Sequence, residues 1–197
     1  YTTFPNGGIR PETFFINQIL DKNNRSVYQN VSKTHEVLSK QTAWIMVNML
    51  TDVNVRGTGA SIWSSDFHIP SGGKTGTTND YTDAWYIGFT PLYTIGVWVG
   101  TDNHKPMGRG HSGSKDAIPP WIAVMKYLHE GKKDLSFTKP NGIVKRKICQ
   151  KSGLLAQPFC AKTYEDYFIA SNSQIEHCKK HLHSDLMNRD AADLFHR

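Results

Sequence analysis

Two runs of residues, "DAWYIGFT" (Asp83–Thr90) and "YTIGVWVGTD" (Tyr93–Asp102), are separated only by Pro91 and Leu92. Both are rich in aromatic and β-branched residues, the composition of strands with at least one buried face. A connection this short cannot carry a parallel crossover, so the pair is constrained to an antiparallel hairpin. A third strand candidate precedes them, leading through His68-Ile69 into Lys74-Thr75-Gly76-Thr77.

Helical patterns flank this sheet. In "SKQTAWIMVNMLTDV", Ser39 suits an N-cap. Ala43, Met46, Val47, Leu50 and Val53 recur at helical spacing, and "RGTG" (Arg56–Gly59) supplies the glycines expected past a helix end. In "IPPWIAVMKYLHEG", Pro119 and Pro120 fit a first turn. Trp121, Val124, Met125 and Leu128 can line one face, and Gly131 closes the helix. Upstream, Phe14–Asn30 reads as two strands around a turn at Asp21–Asn24. The expected class is α+β, an antiparallel sheet with packed helices. Beyond Gly131 the sequence becomes polar and loop-like and holds all three cysteines, so two regions are expected, 1–131 and 132–197.

The chain has 197 residues, 38% hydrophobic and 20% charged, which marks it as globular. Its net charge of +6 favours anionic surroundings. The charge is not gathered in one block, so nucleic acid is not indicated. No apolar run approaches the ~18 residues that span a bilayer. The chain opens on Tyr1, with no visible signal peptide, and is expected to be a piece of a longer polypeptide.

"HIPSGGKTGTTNDY" (His68–Tyr81) has the residues of an anion grip. A phosphate-binding P-loop, G-x-x-x-x-G-K-[ST], requires glycine at the position of His68, and a helix after Thr75 where a turn-like run stands instead. That reading is set aside. "GGKTGTTNDYTDAWYIGFTP" followed by "GVWVGTDN" closely resembles the C-terminal part of the transpeptidase domain of class A penicillin-binding proteins. "RGTG", "YTTFPNGG", "CQKSGLLAQPFC" and "EDYFIASNSQIEHC" resemble other segments of that family.

The resemblance implies an incomplete penicillin-binding or serine β-lactamase-like domain and a D,D-transpeptidase reaction on peptidoglycan stem peptides, blocked by β-lactams. The bound anion is then a peptide or β-lactam carboxylate. Lys74 would carry a positive charge into the cleft. The hydroxyls of Thr75 and Thr77 would meet the carboxylate, and Gly76 would let substrate lie along the strand edge as an added strand. The Thr77 N–H would serve as an oxyanion donor. Lys74 and Thr77 are thus the catalytic candidates, with Lys74, Thr75, Gly76, Thr77 and Thr78 binding substrate. No cofactor, metal or nucleic acid is implied. The rest of the domain, a glycosyltransferase domain and a membrane anchor are the implied partners, at the outer face of the cytoplasmic membrane.

The family also uses S-x-x-K and S-x-N before K-T-G. No S-x-N occurs in this sequence. Ser112-Gly113-Ser114-Lys115 has the S-x-x-K form but follows K-T-G in a glycine-rich stretch, and is expected to be an exposed loop. The chain alone is therefore expected to lack a nucleophile. Its alternative role is a non-catalytic peptide- or glycan-binding module; a stand-alone β-lactamase or carboxypeptidase would need the same absent motifs.

Most of His104, His111, His129, His177, His181 and His183 stand isolated in polar segments and are expected to be solvated, and Asp116, Glu130 and Asp134 to be surface charges. Cys178-Lys179-Lys180-His181 has ligand-like spacing and, with Cys149 and Cys160, matches a Cys₃His zinc set. The oxidising location implied by the resemblance favours instead a Cys149–Cys160 disulfide, leaving Cys178 over.

Overall fold

Why the central elements form is visible residue by residue in the computed structural model, which describes residues 1–133, 135–172 and 175–181. The chain divides into two units, 1–139 and 140 onward. This division falls after the expected 131/132 junction; Phe137 stacks edge-on against Phe89 at 5.8 Å and so belongs with the first unit.

The first unit opens with two short antiparallel pairs. Strand β1 (Ile9–Pro11) pairs with β4 (Thr34–Glu36), which the sequence did not reveal, and β2 (Gln18–Leu20) with β3 (Ser26–Gln29). The turn of the second pair is tied by Asp21, whose Oδ1 accepts from the N–H groups of Asn23 and Arg25 at 2.7 and 3.0 Å.

Helix α1 (Lys40–Arg56) begins where expected: the Ser39 hydroxyl accepts from the Thr42 N–H, and Gly57 closes the end by donating to the Val53 carbonyl. Then come β5 (Gly72–Thr77), β6 (Asp83–Phe89) and β7 (Thr94–Gly100), an antiparallel sheet in the order β5-β6-β7. The register sets Lys74 opposite Ile87, Gly76 opposite Trp85 and Thr77 opposite Ala84. Cross-strand partners share a face. Gly72, Lys74 and Gly76 therefore lie on the face of Phe89, which packs on Val47 and Leu50 of α1. Gly73, Thr75 and Thr77 lie on the face of Tyr86. That ring is buried against Trp121, Ile118 and Met125 of α2 (Ile118–Leu128). The sheet is the middle of three layers.

Some expectations needed correction. On α2, Val124 is exposed and the buried face is Ile118, Trp121 and Met125, three and then four residues apart along the helix. Ser112–Lys115 is no exposed loop. Ser112 caps a five-residue π-helical turn, Gly113–Ala117, with Gly113 and Ala117 buried. Asp116 is no free surface charge either: it accepts from the Ser112 N–H at 2.6 Å and pairs with His111 Nδ1 at 3.0 Å. His129 is buried, bonded through Nδ1 to the Met125 carbonyl and through Nε2 to the Thr90 hydroxyl. Asp134 and His183 lie outside the described residues.

The second unit is more than loop. Strands β8 (Ile143–Cys149) and β9 (Thr163–Ile169) form a seven-rung antiparallel ladder. Alternation there is masked in the sequence by Lys145, Arg146 and Lys147, which lie on an exposed stretch of β8. Among the described residues, no helix is long and apolar enough to cross a membrane.

Candidate functional site at the edge of β5

Strand β5 is an edge strand: β6 pairs with one side of it, and the other side has no strand partner among the described residues. Successive N–H groups of a strand point to alternate sides. The Thr78 N–H donates to the Asp83 carbonyl on the β6 side at 3.2 Å, so the Thr77 N–H points to the open side. The Thr75 carbonyl is met by the Lys74 Nζ, which curls back to donate to it at 2.8 Å. The Thr75 hydroxyl bonds the Thr58 hydroxyl at 2.8 Å. One strand edge thus carries an ammonium group, a hydroxyl pair and a free backbone donor. Those groups are donors of the kind that suit a carboxylate, and an unpaired strand edge is what an extended peptide can pair with.

What fixes this strand is a buried polar chain. The Tyr86 hydroxyl donates to Asn54 Oδ1 at 2.8 Å, and Asn54 Nδ2 donates to the Ser71 hydroxyl at 3.2 Å. The chain ties the end of α1 to the residue before β5. Burial pushes the Tyr86 phenol above its usual range, so it stays a neutral donor. It also passes over Gly73, where a Cβ would stand 2.3 Å from the Tyr86 oxygen. Only a glycine leaves that path open.

Gly113 is pressed on the same strand. A Cβ there would stand 2.2 Å from the Trp85 carbonyl and 2.8 Å from that of Gly76. Its N–H donates to the Thr77 hydroxyl at 3.1 Å. The π-helical turn therefore braces Thr77 from the α2 side. Sequence reasoning missed Thr58, Asn54 and Gly113; the glycine pairs around Lys74 were the available signal for close approach.

Thr78 plays a different part from its neighbours. Its hydroxyl accepts from the N–H groups of Thr82 and Asp83 at 3.0 and 2.9 Å, so it closes the β5–β6 turn. Asp83 in turn accepts from Trp98 Nε1 and the Thr82 hydroxyl, both at 2.8 Å. These bonds, that from Trp98 foremost, hold its carboxyl below the usual range.

The S-x-x-K form occurs at Ser71–Lys74 and Ser136–Lys139 as well as at Ser112–Lys115. Ser71 is buried at the head of β5 and bonded to Asn54, and Ser136–Lys139 is not helical.

In the second unit the expected Cys149–Cys160 disulfide is not made. All three cysteines are free thiols. Leu155 bridges both Ile148 and His177, which draws the Cys178–His181 turn against the end of β8. Cys149, Cys160 and Cys178 then share one space with His181. The Cys178 thiol is drawn down to about 6, chiefly by the Ser152 hydroxyl. Cys149 is lowered by the same group, and burial raises Cys160.

Comparison with known proteins agrees with this architecture. Residues 1–119 match the family model described as the penicillin binding protein transpeptidase domain, and residues 139–183 match the penicillin-binding protein 1A C-terminal domain. Penicillin-binding protein 1A of Aquifex aeolicus is 38% identical over 81% of the chain, and that of Clostridium tetani 28% over 92%. The chain spans 22% and 24% of their lengths, about a quarter. The crystal structure of penicillin-binding protein 1A from Haemophilus influenzae superposes with a TM-score of 0.79 at 27% identity, covering 91% of this chain and 32% of that one. With the strand order, the edge position of the K-T-G segment and the transpeptidase match over residues 1–119 all in agreement, the chain belongs to the penicillin-binding protein transpeptidase family.

Proposed function

We propose that this chain forms the K-T-G wall of a D,D-transpeptidase active site, with the acylated serine and the S-x-N motif supplied by other parts of a longer polypeptide. One observation carries the reading: the open edge of β5 presents the Lys74 ammonium and the outward Thr77 N–H side by side. A stem peptide or β-lactam lies antiparallel along this edge. Its carboxylate meets Lys74 and the hydroxyls of Thr75 and Thr77. Gly76 adds no side chain to the approach, and its nearest obstacle to a Cβ is Trp85 Cβ at 3.3 Å. As the acyl carbonyl becomes tetrahedral, its oxygen gains the Thr77 N–H. One such donor is worth about 2.7–4 kcal/mol in the transition state. Thr78 contributes by holding the turn that keeps Thr77 in place. Cell-wall synthesis at the outer face of the cytoplasmic membrane, beside a glycosyltransferase domain and an anchor, completes the proposal.

The test uses a fluorescent penicillin and a denaturing gel. In the longer protein, Lys74→Ala is expected to slow acylation severely while Ser112→Ala, which loses only the cap of the turn behind Thr77, still takes the label, and the 197-residue chain alone takes none. Loss of labelling in Ser112→Ala with retention in Lys74→Ala, or a stable band on the isolated chain, refutes the assignment.

A further inference from the structure

The described part of the second unit has a small buried core. Among its described residues the buried hydrophobic side chains are Ile143, Ile148, Cys149 and Cys178. A core this small does not offset the entropy of ordering a chain of this size, and natural domains of the kind add a disulfide or a metal. The cysteines are the evident staple, and the question is which kind.

Geometry distinguishes the two. A disulfide joins two sulfurs and leaves other groups aside. Here four donors converge: the sulfurs of Cys149, Cys160 and Cys178 and a ring nitrogen of His181 all lie within 4.8 Å of one another. His181 Nδ1 stands 3.5 Å from Cys149 Sγ and 3.4 Å from Cys178 Sγ. A tetrahedral zinc with Zn–S of about 2.3 Å and Zn–N of about 2.0–2.1 Å sets its sulfur and nitrogen ligands about 3.6 Å apart. The observed separations fall within about 0.2 Å of that edge.

The surroundings suit bound thiolates. The Gln157 N–H donates to Cys160 Sγ at 3.3 Å. Such donors orient metal-bound sulfur and spread its charge. Two separate backbone bonds hold the pieces in register: Cys178 N–H to the Leu155 carbonyl at 2.8 Å, and Gln157 Nε2 to the Cys178 carbonyl at 2.7 Å.

We propose that Cys149, Cys160, Cys178 and His181 bind one zinc ion in a closed, structural four-ligand site that staples the C-terminal unit. Zinc takes the three sulfurs as thiolates, so their three protons pass to solvent on binding, and His181 ligates through Nδ1. With no coordination position left for water or substrate, the site is structural. Three thiolates and one imidazole favour zinc over the oxygen-seeking magnesium and calcium.

The test is metal analysis of the full 197-residue chain, purified under reducing conditions without chelator and reloaded with zinc alone. One zinc per chain is expected. Cobalt in its place should give thiolate-to-metal charge-transfer bands and the d–d bands of a tetrahedral ion. His181→Ala should weaken zinc retention by more than about a hundredfold, beyond the 10–100-fold caused by losing an outer partner. His181→Cys should restore it, which separates lost ligation from lost folding. Cys178→Ser discriminates most sharply: it should abolish stoichiometric zinc, whereas a Cys149–Cys160 disulfide would be indifferent to it. Absence of bound zinc after reloading, or a Cys149–Cys160 crosslink found by non-reducing peptide mapping in wild type and Cys178→Ser alike, overturns the proposal.

Discussion

Replacing Gly73 by alanine tests what holds the K-T-G strand. Its φ is not in the left-handed region, so alanine meets no backbone strain and should gain about 0.4–1 kcal/mol by restricting the unfolded chain. Against this stand three contacts: the new Cβ would lie 2.3 Å from the Tyr86 oxygen, 2.6 Å from its Cζ and 2.7 Å from the Ile87 carbonyl. Overpacking of this kind costs about 1–3 kcal/mol. Moving the Tyr86 ring aside also breaks its bond to Asn54 Oδ1. Asn54 is 3% exposed, and a buried acceptor left without a donor costs about 1–3 kcal/mol more. The net loss is about 1–6 kcal/mol, a large share of the 5–15 kcal/mol that keeps a domain folded. Gly76→Ala is the control: its closest contact is 3.3 Å from one side-chain carbon, so it should change stability by less than about 1 kcal/mol while impairing substrate approach in the longer protein. Urea unfolding followed by tryptophan fluorescence reads this directly, since all five tryptophans lie in the first unit. A Gly73→Ala chain as stable as wild type, or Gly76→Ala as damaging as Gly73→Ala, would show that the Tyr86 path does not fix the strand.

Two further outcomes follow from the same geometry. Thr77→Val in the longer protein deletes the hydroxyl and leaves the Gly113 N–H without its acceptor, so acylation by carboxylate-bearing β-lactams should fall by a factor of about ten or more, from the ~1.5–3 kcal/mol of a hydrogen bond to a charged group; an unchanged second-order rate would remove Thr77 from the carboxylate site. Asp83 has a lowered folded-state pKa, so its stabilising contribution is present above the unfolded value near 3.9 and is lost as pH falls through the lower folded value. Trp98, which donates to it, should change its emission in that acid window, and Asp83→Asn should remove the transition; an identical acid titration in the variant speaks against the linkage.

Local rules made much of the first unit legible. Ser39 and Gly57 mark the ends of α1 because capping is decided within four residues. The three strands of the sheet could be read because β-branched and aromatic runs with a two-residue gap admit one connection. The K-T-G segment stood out because its glycines and threonines fit no helix. The sequence could not show that Thr77 is braced by Gly113, thirty-six residues on, or that Gly73 is required by a tyrosine hydroxyl on the next strand. Those are contacts between elements, and a chain's local preferences carry no record of which elements will meet. The cysteines make the same point. Spacing alone left both a disulfide and a metal set open for Cys149 and Cys160. What separates them is where Cys178 and His181 arrive, and that depends on Leu155 bridging two segments at once, a matter of long-range register that only the folded chain decides.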